Sequence, residues 1–201
     1  MLIEIDRHNP EYPKIKKIVH ILKNDGVIVY PTDTIYGFGA DIHSKAAIER
    51  IYKIKQKKAI GFSFIIPDLN KIAEYAHVSD YAYRVMKKLL PGPYTFILKA
   101  TKMVPKQLIP KKKTVAIRIP DNATCLNLVK LLNSPIITTS VNVSGEPHFS
   151  EPLEIEKEFS DHVDAIIDNG ILPNDPSSVI DLTGDAPIII RRGKGDVSLF
   201  E

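Results

Sequence analysis

Residues 27–40 read VIVYPTDTIYGFGA, and this stretch decides how the chain is organised. Its first four residues are an apolar, largely β-branched run that predicts a buried strand ending at Tyr30. A proline stops that strand, and a polar loop with Thr32, Asp33 and Thr34 follows. The two glycines that come next permit a positive φ or a close backbone approach to a ligand. Such a loop is typical of α/β sheets that bind small anions, and a plain tight turn is the alternative.

Helical and strand patterns alternate along the rest of the chain, which predicts a mixed α/β sheet flanked by helices. The predicted strands are residues 2–5, 27–30, 62–66, 94–99, 114–119, 135–138, 165–168, 178–182 and 188–191. The predicted helices are residues 11–24, 44–55, 68–75, 80–90, 121–132 and 153–159. The chain has no internal repeat, low-complexity tract or linker. We therefore expect residues 1–201 to form a single domain.

The composition is that of an ordinary globular protein, with 44% hydrophobic and 25% charged residues. No apolar run reaches the ~18 residues of a membrane span, and the N-terminus lacks the pattern of a signal peptide. The single cysteine, Cys125, excludes an internal disulfide and a cysteine-based zinc site. It lies in a helical apolar pattern, so we expect a buried structural thiol. These observations predict a cytoplasmic protein.

The charges are distributed unevenly along the chain. Residues 1–145 hold 23 basic and 11 acidic side chains, whereas residues 146–185 hold 1 basic and 11 acidic side chains. A split of this kind can orient a polyanion toward one face of the molecule. The alternative is a solvated surface on which the charges happen to be uneven.

Several polar groups lie where predicted elements end. Residues 138–145 read TTSVNVSG, and their hydroxyls and amide suit phosphate oxygens and ribose hydroxyls, or form only a loop. Arg118 leaves the apolar strand TVAIR and needs an anionic partner or exposure. Arg191 and Arg192 end the last strand and could clamp a triphosphate. The lysines of residues 53–58 could hold phosphate, or they could complement the helix dipole.

The common signatures of nucleotide, metal and nucleophilic sites are missing. The chain contains neither GxxxxGK[ST] nor a GxGxxG after a strand. Its six histidines are dispersed without the i, i+4 spacing of a zinc helix, and we expect each to be structural or exposed. No nucleophile elbow or carboxylate pair is visible. We therefore predict no metal site and no catalytic nucleophile.

Seven segments nevertheless occur in a distinctive order. They are PTDT–YGFG, KQK, PGPYTFIL, TVAIRIP, TTSVNVSG, SSVIDLT and IIIRRG. In this order they resemble the YrdC-like family along nearly the whole chain, and members of that family include threonylcarbamoyl-AMP synthases. The resemblance implies an open, twisted mixed α/β sheet, flanked by helices, around a large basic cavity.

The resemblance also implies a reaction. L-threonine, bicarbonate and ATP would give threonylcarbamoyl-AMP and pyrophosphate, and the product would serve the threonylcarbamoyladenosine modification of tRNA. ATP would be a substrate accompanied by Mg²⁺, without a tightly bound cofactor. By the same resemblance, threonine would be bound by Thr32, Arg118, Thr138 and Ser178. ATP would be bound by Lys55, Lys57, Ser140, Asn142 and Arg191.

The basic loop departs from the synthase pattern. The synthases typically show Lys-x-Arg-Pro followed by a nearby histidine, whereas residues 55–58 here read KQKK and Gly61 stands where the histidine would be. Lys57 keeps a positive charge but lacks the bidentate fork of arginine. In this respect the chain looks like the YciO-type branch of the family.

Two other hypotheses remain open at this stage. The chain could be a non-catalytic or divergent YciO-type protein that binds double-stranded RNA or tRNA through its lysine-rich segment. That segment contains Lys99, Lys102, Lys106, Lys111, Lys112 and Lys113. No aromatic residues alternate with these lysines to stack on bases. Alternatively, the chain could perform the same adenylate chemistry on a different carbamoylated small molecule.

Overall fold

A computed structural model of the protein describes residues 1–56 and 61–201. Its strands are β1 (Leu2–Glu4), β2 (Ile28–Tyr30), β3 (Gly37–Asp41), β4 (Ser63–Ile65), β5 (Ala76–His77), β6 (Tyr94–Ala100), β7 (Thr114–Arg118), β8 (Ile136–Ser140), β9 (Ala165–Asp168), β10 (Ser178–Asp181) and β11 (Ile188–Arg191). Its α-helices are α1 (Tyr12–Lys23), α2 (Lys45–Ile54), α3 (Ile72–Tyr75), α4 (Asp80–Leu89), α5 (Ala123–Leu132) and α6 (Pro152–Phe159). Short 3-10 helices cover Leu69–Lys71, Lys106–Leu108 and Ser198–Phe200.

The described strands join in one mixed sheet. Their order is β1-β9-β2-β3-β8-β4-β7-β6-β10-β11, and β5 pairs with β6 beside this path. The pairs β1/β9, β2/β9, β4/β7 and β6/β10 are parallel, and the other pairs are antiparallel. The predicted open, mixed α/β sheet flanked by helices is therefore confirmed.

Both faces of the sheet are covered, which explains why β2 is apolar throughout. Ile28 and Tyr30 belong to one core, which they share with the buried residues of α1 and α5. Val27 and Val29 belong to the other core, where buried residues of α2, α4 and α6 pack. Because successive side chains of a strand point to opposite faces, a strand buried on both sides reads as a continuous apolar run.

Side-chain caps mark where α2, α4 and α5 begin. Ser44 Oγ accepts a hydrogen bond from Ala47 N at 3.1 Å, as the predicted start of α2 requires. In α5 the cap is Asn122, whose Oδ1 accepts from Cys125 N at 2.9 Å, one residue after the predicted start. Cys125 is fully buried, and burial raises the pKa of its thiol, in agreement with a structural role. Within the described ranges, no helix is both long and apolar enough to cross a membrane.

The loop predicted after Tyr30 is shorter than expected, because Gly37–Asp41 form β3. This strand pairs antiparallel with β2 on one side and with β8 on the other. A Cβ on Gly37 would lie 2.6 Å from Thr138 Oγ1, and one on Gly39 would lie 2.6 Å from a ring carbon of Tyr30. Because Gly37 and Gly39 have no side chain, they leave the space that Thr138 and Tyr30, on the neighbouring strands, occupy. Glycine and polar residues obscured this strand in the sequence pattern.

Candidate functional site

A cavity of about 610 Å³ lies against the sheet. Seven strands contribute to its wall, namely β3, β4, β6, β7, β8, β10 and β11. Tyr52, Phe62 and Leu108 give one part of the wall an apolar surface, while Arg118 and Arg191 bring positive charge. Among the described residues that line it, none is an aspartate or a glutamate. The cavity therefore suits an anionic ligand with an apolar part.

Arg118, at the end of β7, is the centre of the Arg118 cluster, which comprises Thr32, Asp33, Thr34 and Arg118. Its Nη2 donates to Asp33 Oδ1 at 2.5 Å, to Thr34 Oγ1 at 2.6 Å and to Thr32 Oγ1 at 3.3 Å. Three consecutive side chains of the loop after β2 thus accept hydrogen bonds from the same nitrogen, Nη2 of Arg118. Of the two outcomes predicted for Arg118, an anionic partner or exposure, the structure shows the first, and the partner is Asp33.

The hydroxyl of Thr32 is held in a fixed position. It accepts from the backbone N–H groups of Thr34 at 3.1 Å and Ile35 at 3.2 Å, and it donates to Ile35 O at 2.7 Å. These bonds form the side-chain-to-backbone turn that threonine favours. Thr32 is 1% exposed and lines the cavity, so the loop presents a rigid polar group there.

The ion pair within the Arg118 cluster is buried but incompletely satisfied. The side chains of Asp33 and Arg118 are each 7% exposed. Among the described residues, neither Asp33 Oδ2 nor Arg118 Nε finds a hydrogen-bond partner. Unpaired buried polar atoms are rare in folded proteins because each costs about 1–3 kcal/mol. An acceptor oxygen carried by a ligand would satisfy the guanidinium.

Lys55 forms a second group, the Lys55 cluster, with Ser140 and Asn142. It follows the last turn of α2 and is 3% exposed. Its Nζ donates to Ser140 O at 2.8 Å and to Asn142 Oδ1 at 2.5 Å. Both acceptors are neutral, so they solvate the ammonium group without cancelling its charge. Ser140 lines the cavity, and Lys55 and Asn142 lie behind it.

Arg191, Ser177 and Thr95 form a third group, the Arg191 cluster. Arg191 Nε and Nη2 donate to Ser177 O at 2.9 and 2.8 Å, and Nη2 also reaches Ser177 Oγ at 3.2 Å. Ser177 Oγ is 2.8 Å from Thr95 Oγ1. Arg191 is partly exposed to solvent, but the partial burial of its guanidinium lowers its pKa, and the positive charge of Arg118 lowers the pKa further. The two arginines therefore share one electrostatic environment.

Not every predicted residue reaches the cavity wall. Ser178 points away from it, because its Oγ donates to Gly195 O at 2.5 Å and accepts from Gly193 N at 3.0 Å. Its neighbours Ser177 and Val179 face the cavity instead, as the alternation of a strand requires. Lys57 lies outside the described residues, and Gly61 lines the cavity.

The structure brings the other predicted residues together. Five of them line the cavity: Thr32, Arg118, Thr138, Ser140 and Arg191. Three polar residues of this region had no predicted site role, namely Asp33 as the partner of Arg118, Ser177 and His148. The demand of Arg118 for an anion was the available signal for Asp33. For His148 the sequence offered none.

Comparisons with known proteins agree with this arrangement. The chain matches the family Sua5_yciO_yrdC, described as Telomere recombination, over residues 20–193. It is 42% identical over 195 residues to YciO of Escherichia coli K12, covering 96% of this chain and 95% of that protein. It is 36% identical over 184 residues to a putative threonylcarbamoyl-AMP synthase of Methanocaldococcus jannaschii, covering 89% and 86%.

Solved structures match equally well. Escherichia coli YciO superposes with a TM-score of 0.95 at 40% identity, over 100% of this chain and 99% of that one. Pyrococcus abyssi Sua5, whose crystal structure contains L-threonine, gives a TM-score of 0.90 at 28% identity, over 96% of this chain and 57% of that one. The sequence match, the fold and the polar cavity agree, and the chain belongs to the Sua5/YciO/YrdC family.

Proposed function

We propose that this protein is an ATP-dependent nucleotidyltransferase that converts L-threonine, bicarbonate and ATP into threonylcarbamoyl-AMP and pyrophosphate. The observation that carries the proposal is the convergence of five residues, far apart in sequence, on one cavity. They are Thr32, Arg118, Thr138, Ser140 and Arg191. Relatives at 28–36% identity bear the name of this synthase, which supports the same class of reaction here.

Threonine would bind at the Arg118 cluster. Pyrococcus abyssi Sua5 binds L-threonine in its crystal structure, and this chain shares its fold. Nη1 of Arg118, which donates to no described residue and is not among the buried atoms, would meet the threonine carboxylate. The hydroxyls of Thr32 and Thr138 would fix the orientation of the substrate beside it.

ATP would bind where the Lys55 and Arg191 clusters bring cations near the cavity. Lys55 and Arg191 would offset the charge of the phosphates, and Ser140 and Asn142 would supply polar contacts. Mg²⁺ would enter with ATP, bound to its phosphate oxygens. The threonine amine and bicarbonate would first form a carbamate with loss of water. A carbamate oxygen would then attack the α-phosphorus in line, and pyrophosphate would leave. This reaction requires no nucleophile from the protein, and the product would be used to modify adenosine in tRNA.

Pyrophosphate release tests the proposal directly. The purified chain is incubated with ATP and Mg²⁺, with each amino acid in turn, in the presence and absence of bicarbonate. We expect release that needs both threonine and bicarbonate. Lys55→Met should abolish it, whereas the exposed Lys53→Met should not. Release that ignores bicarbonate, or that prefers another amino acid, would refute the proposed reaction.

One observation favours a second candidate, the binding of tRNA or double-stranded RNA. The six lysines of the lysine-rich segment are all exposed, and Gln107–Pro110 of the same segment line the cavity. Phosphate binding by these lysines would make affinity fall steeply with salt concentration. Binding that is unchanged between low and high salt, or after neutralising Lys111, Lys112 and Lys113, would exclude this candidate.

A further inference from the structure

His148 is a cavity residue to which the proposed reaction gives no role. It lies in the loop between β8 and α6 and lines the cavity. Hydrogen bonds hold this loop on both sides of it. Asn174 Nδ2 donates to His148 O at 3.2 Å, and Phe149 N donates to Val141 O at 3.2 Å. The backbone of His148 is therefore held in place at the wall.

The ring is not saturated by the protein. Its Nδ1 is buried and lacks a hydrogen-bond partner within residues 1–56 and 61–201. A buried ring nitrogen without a partner is costly, and a turn of the ring that brought Nδ1 to a ligand oxygen would remove that cost. His148 therefore lies in the cavity wall with a ring nitrogen whose hydrogen-bonding capacity is unused by the described residues.

The charges around the ring decide its protonation state. Burial lowers the pKa of His148, and the positive charges of Lys55, at the end of α2, and Arg191, in β11, lower it further. The acid nearest in the same loop, Glu146, is exposed to solvent. All three causes favour the neutral ring over the imidazolium. An anion placed between these cations would reverse the local field and favour the protonated ring.

We propose that His148 contacts the anionic part of the ligand that fills the cavity and takes up one proton as that ligand binds. The proposal rests on the proposed function in one respect, that the physiological anion is the triphosphate of ATP. The proton comes from the buffer and adds to the unprotonated ring nitrogen. The resulting imidazolium has two N–H donors, and the one on the ring nitrogen that is not buried can bond to a phosphate oxygen, beside Lys55 and Arg191.

The sign of the pH dependence follows from this linkage. Ligand binding raises the proton affinity of His148, so protonation in turn tightens ligand binding. Affinity should therefore increase as the pH falls toward the range in which the bound ring is protonated. With one proton linked, the limit is about a tenfold change in affinity for each pH unit.

Isothermal titration calorimetry measures both the affinity for a ligand and the number of protons taken up when that ligand binds. ATP and inorganic tripolyphosphate serve as probes, between about pH 6.5 and about pH 8.5, in two buffers of different ionisation enthalpy. His148→Asn removes the titration but keeps a polar side chain, and His43→Asn removes an exposed histidine that does not line the cavity. Comparing variants at the same pH cancels the protonation of the probes themselves.

We expect the wild-type chain and His43→Asn to take up protons on binding, and His148→Asn to lose that uptake. Over this range, affinity should fall about three- to tenfold more in the wild type than in His148→Asn. If the protein takes up protons on binding tripolyphosphate, loses that uptake in His148→Asn and fails to bind ATP, the role of His148 in anion binding would be supported. The proposed function would then be refuted. Threonine-dependent pyrophosphate release with equal proton uptake in all three proteins would refute the role of His148 and leave the function standing.

Discussion

The Arg118 cluster and the Lys55 cluster each stabilise a buried cation, but they do so differently. In the Arg118 cluster the acceptor closest to Nη2 is a carboxylate oxygen of Asp33, at 2.5 Å. In the Lys55 cluster the oxygens of Ser140 and Asn142, at 2.8 and 2.5 Å, are neutral. A carboxylate cancels the charge of its partner, whereas a carbonyl or amide oxygen only solvates it. One cluster thus contains a counter-ion for its cation, whereas the positive charge of Lys55 acts on the cavity wall, where it lowers the pKa of His148.

This difference separates two tasks within one cavity. The Arg118 cluster holds a guanidinium in a fixed orientation and offers directional donors, which suits the recognition of one small carboxylate. The Lys55 cluster offers a positive charge that an incoming polyanion can use. Under the proposed function, the first would select the amino acid and the second would attract the nucleotide. Four predictions test this comparison, from the largest expected effect to the smallest.

Removing Arg118 should have the largest effect on stability. Arg118→Met leaves Asp33 buried without its cation, and breaking such a pair costs about 3–5 kcal/mol in the free energy of unfolding. Urea denaturation measures the change. The matched control is Arg192→Met, because the ion pair between Arg192 and Glu201 is 64% and 54% exposed, and it should cost at most about 1 kcal/mol.

A double variant distinguishes the cost of an unpaired buried charge on Asp33 from the cost of lost packing around Arg118. Asp33→Asn combined with Arg118→Met removes both charges, so it should be less destabilised than Arg118→Met alone. Equal losses in the single and double variants would show that Asp33 carries no uncompensated charge. The contrast between the two clusters would then be wrong.

Asn142→Leu tests the Lys55 cluster in the same way. It removes the amide oxygen that lies 2.5 Å from Lys55 Nζ and also accepts from Ser140 Oγ at 2.7 Å. Because Lys55 is buried, losing this charge-assisted bond should cost about 1.5–3 kcal/mol, again by urea denaturation. The exposed Asn70→Leu is the control and should change stability by less than about 0.5 kcal/mol. A neutral result for Asn142→Leu would mean that its oxygen does not hold the ammonium.

The clusters also show how far the sequence could be interpreted. Arg118 was predicted to need an anionic partner or exposure because a charged residue ended an apolar strand, and Asp33 is that partner. The apolar run of β2 and the stripe of α1 likewise predicted burial correctly, because hydrophobic periodicity depends on local sequence alone. β3 was missed, because two glycines and an aspartate among its five residues obscure the pattern of a strand.

The candidate site was harder to predict, because its geometry depends on pairings distant in sequence. Residues 32 and 118 meet because the strands that carry them are ordered by the sheet, which no local pattern specifies. The choice between Ser177 and Ser178 depends on the register of β10, and a shift of one residue exchanges the two faces. His148 lies in a loop whose position is fixed by contacts with distant segments.

The two serines provide the third prediction. Ser178→Ala removes the hydroxyl that joins Gly193 N and Gly195 O, so it should cost about 1–2 kcal/mol in stability and leave ligand contacts unchanged. Ser177→Ala should cost less, because Arg191 keeps its two bonds to the Ser177 carbonyl oxygen. It should instead weaken ATP binding, measured by calorimetry. The opposite assignment, with Ser178→Ala weakening binding at unchanged stability, would place the wrong face of β10 in the cavity.

The smallest expected effect concerns Lys194, which links the Arg118 cluster to the C-terminal segment. Its exposed Nζ donates to the backbone oxygen of Asp33 at 2.6 Å. Lys194→Met should cost less than about 0.5 kcal/mol in stability, because water can replace an exposed donor. Amide hydrogen exchange of Thr34 and Ile35 should accelerate by about twofold at most, because both amides remain bonded to Thr32 Oγ1. An acceleration above about tenfold would mean that Lys194 holds this loop in place. The Arg118 cluster would then owe its fixed geometry to the end of the chain, and the contrast with the Lys55 cluster would lie in how each is anchored.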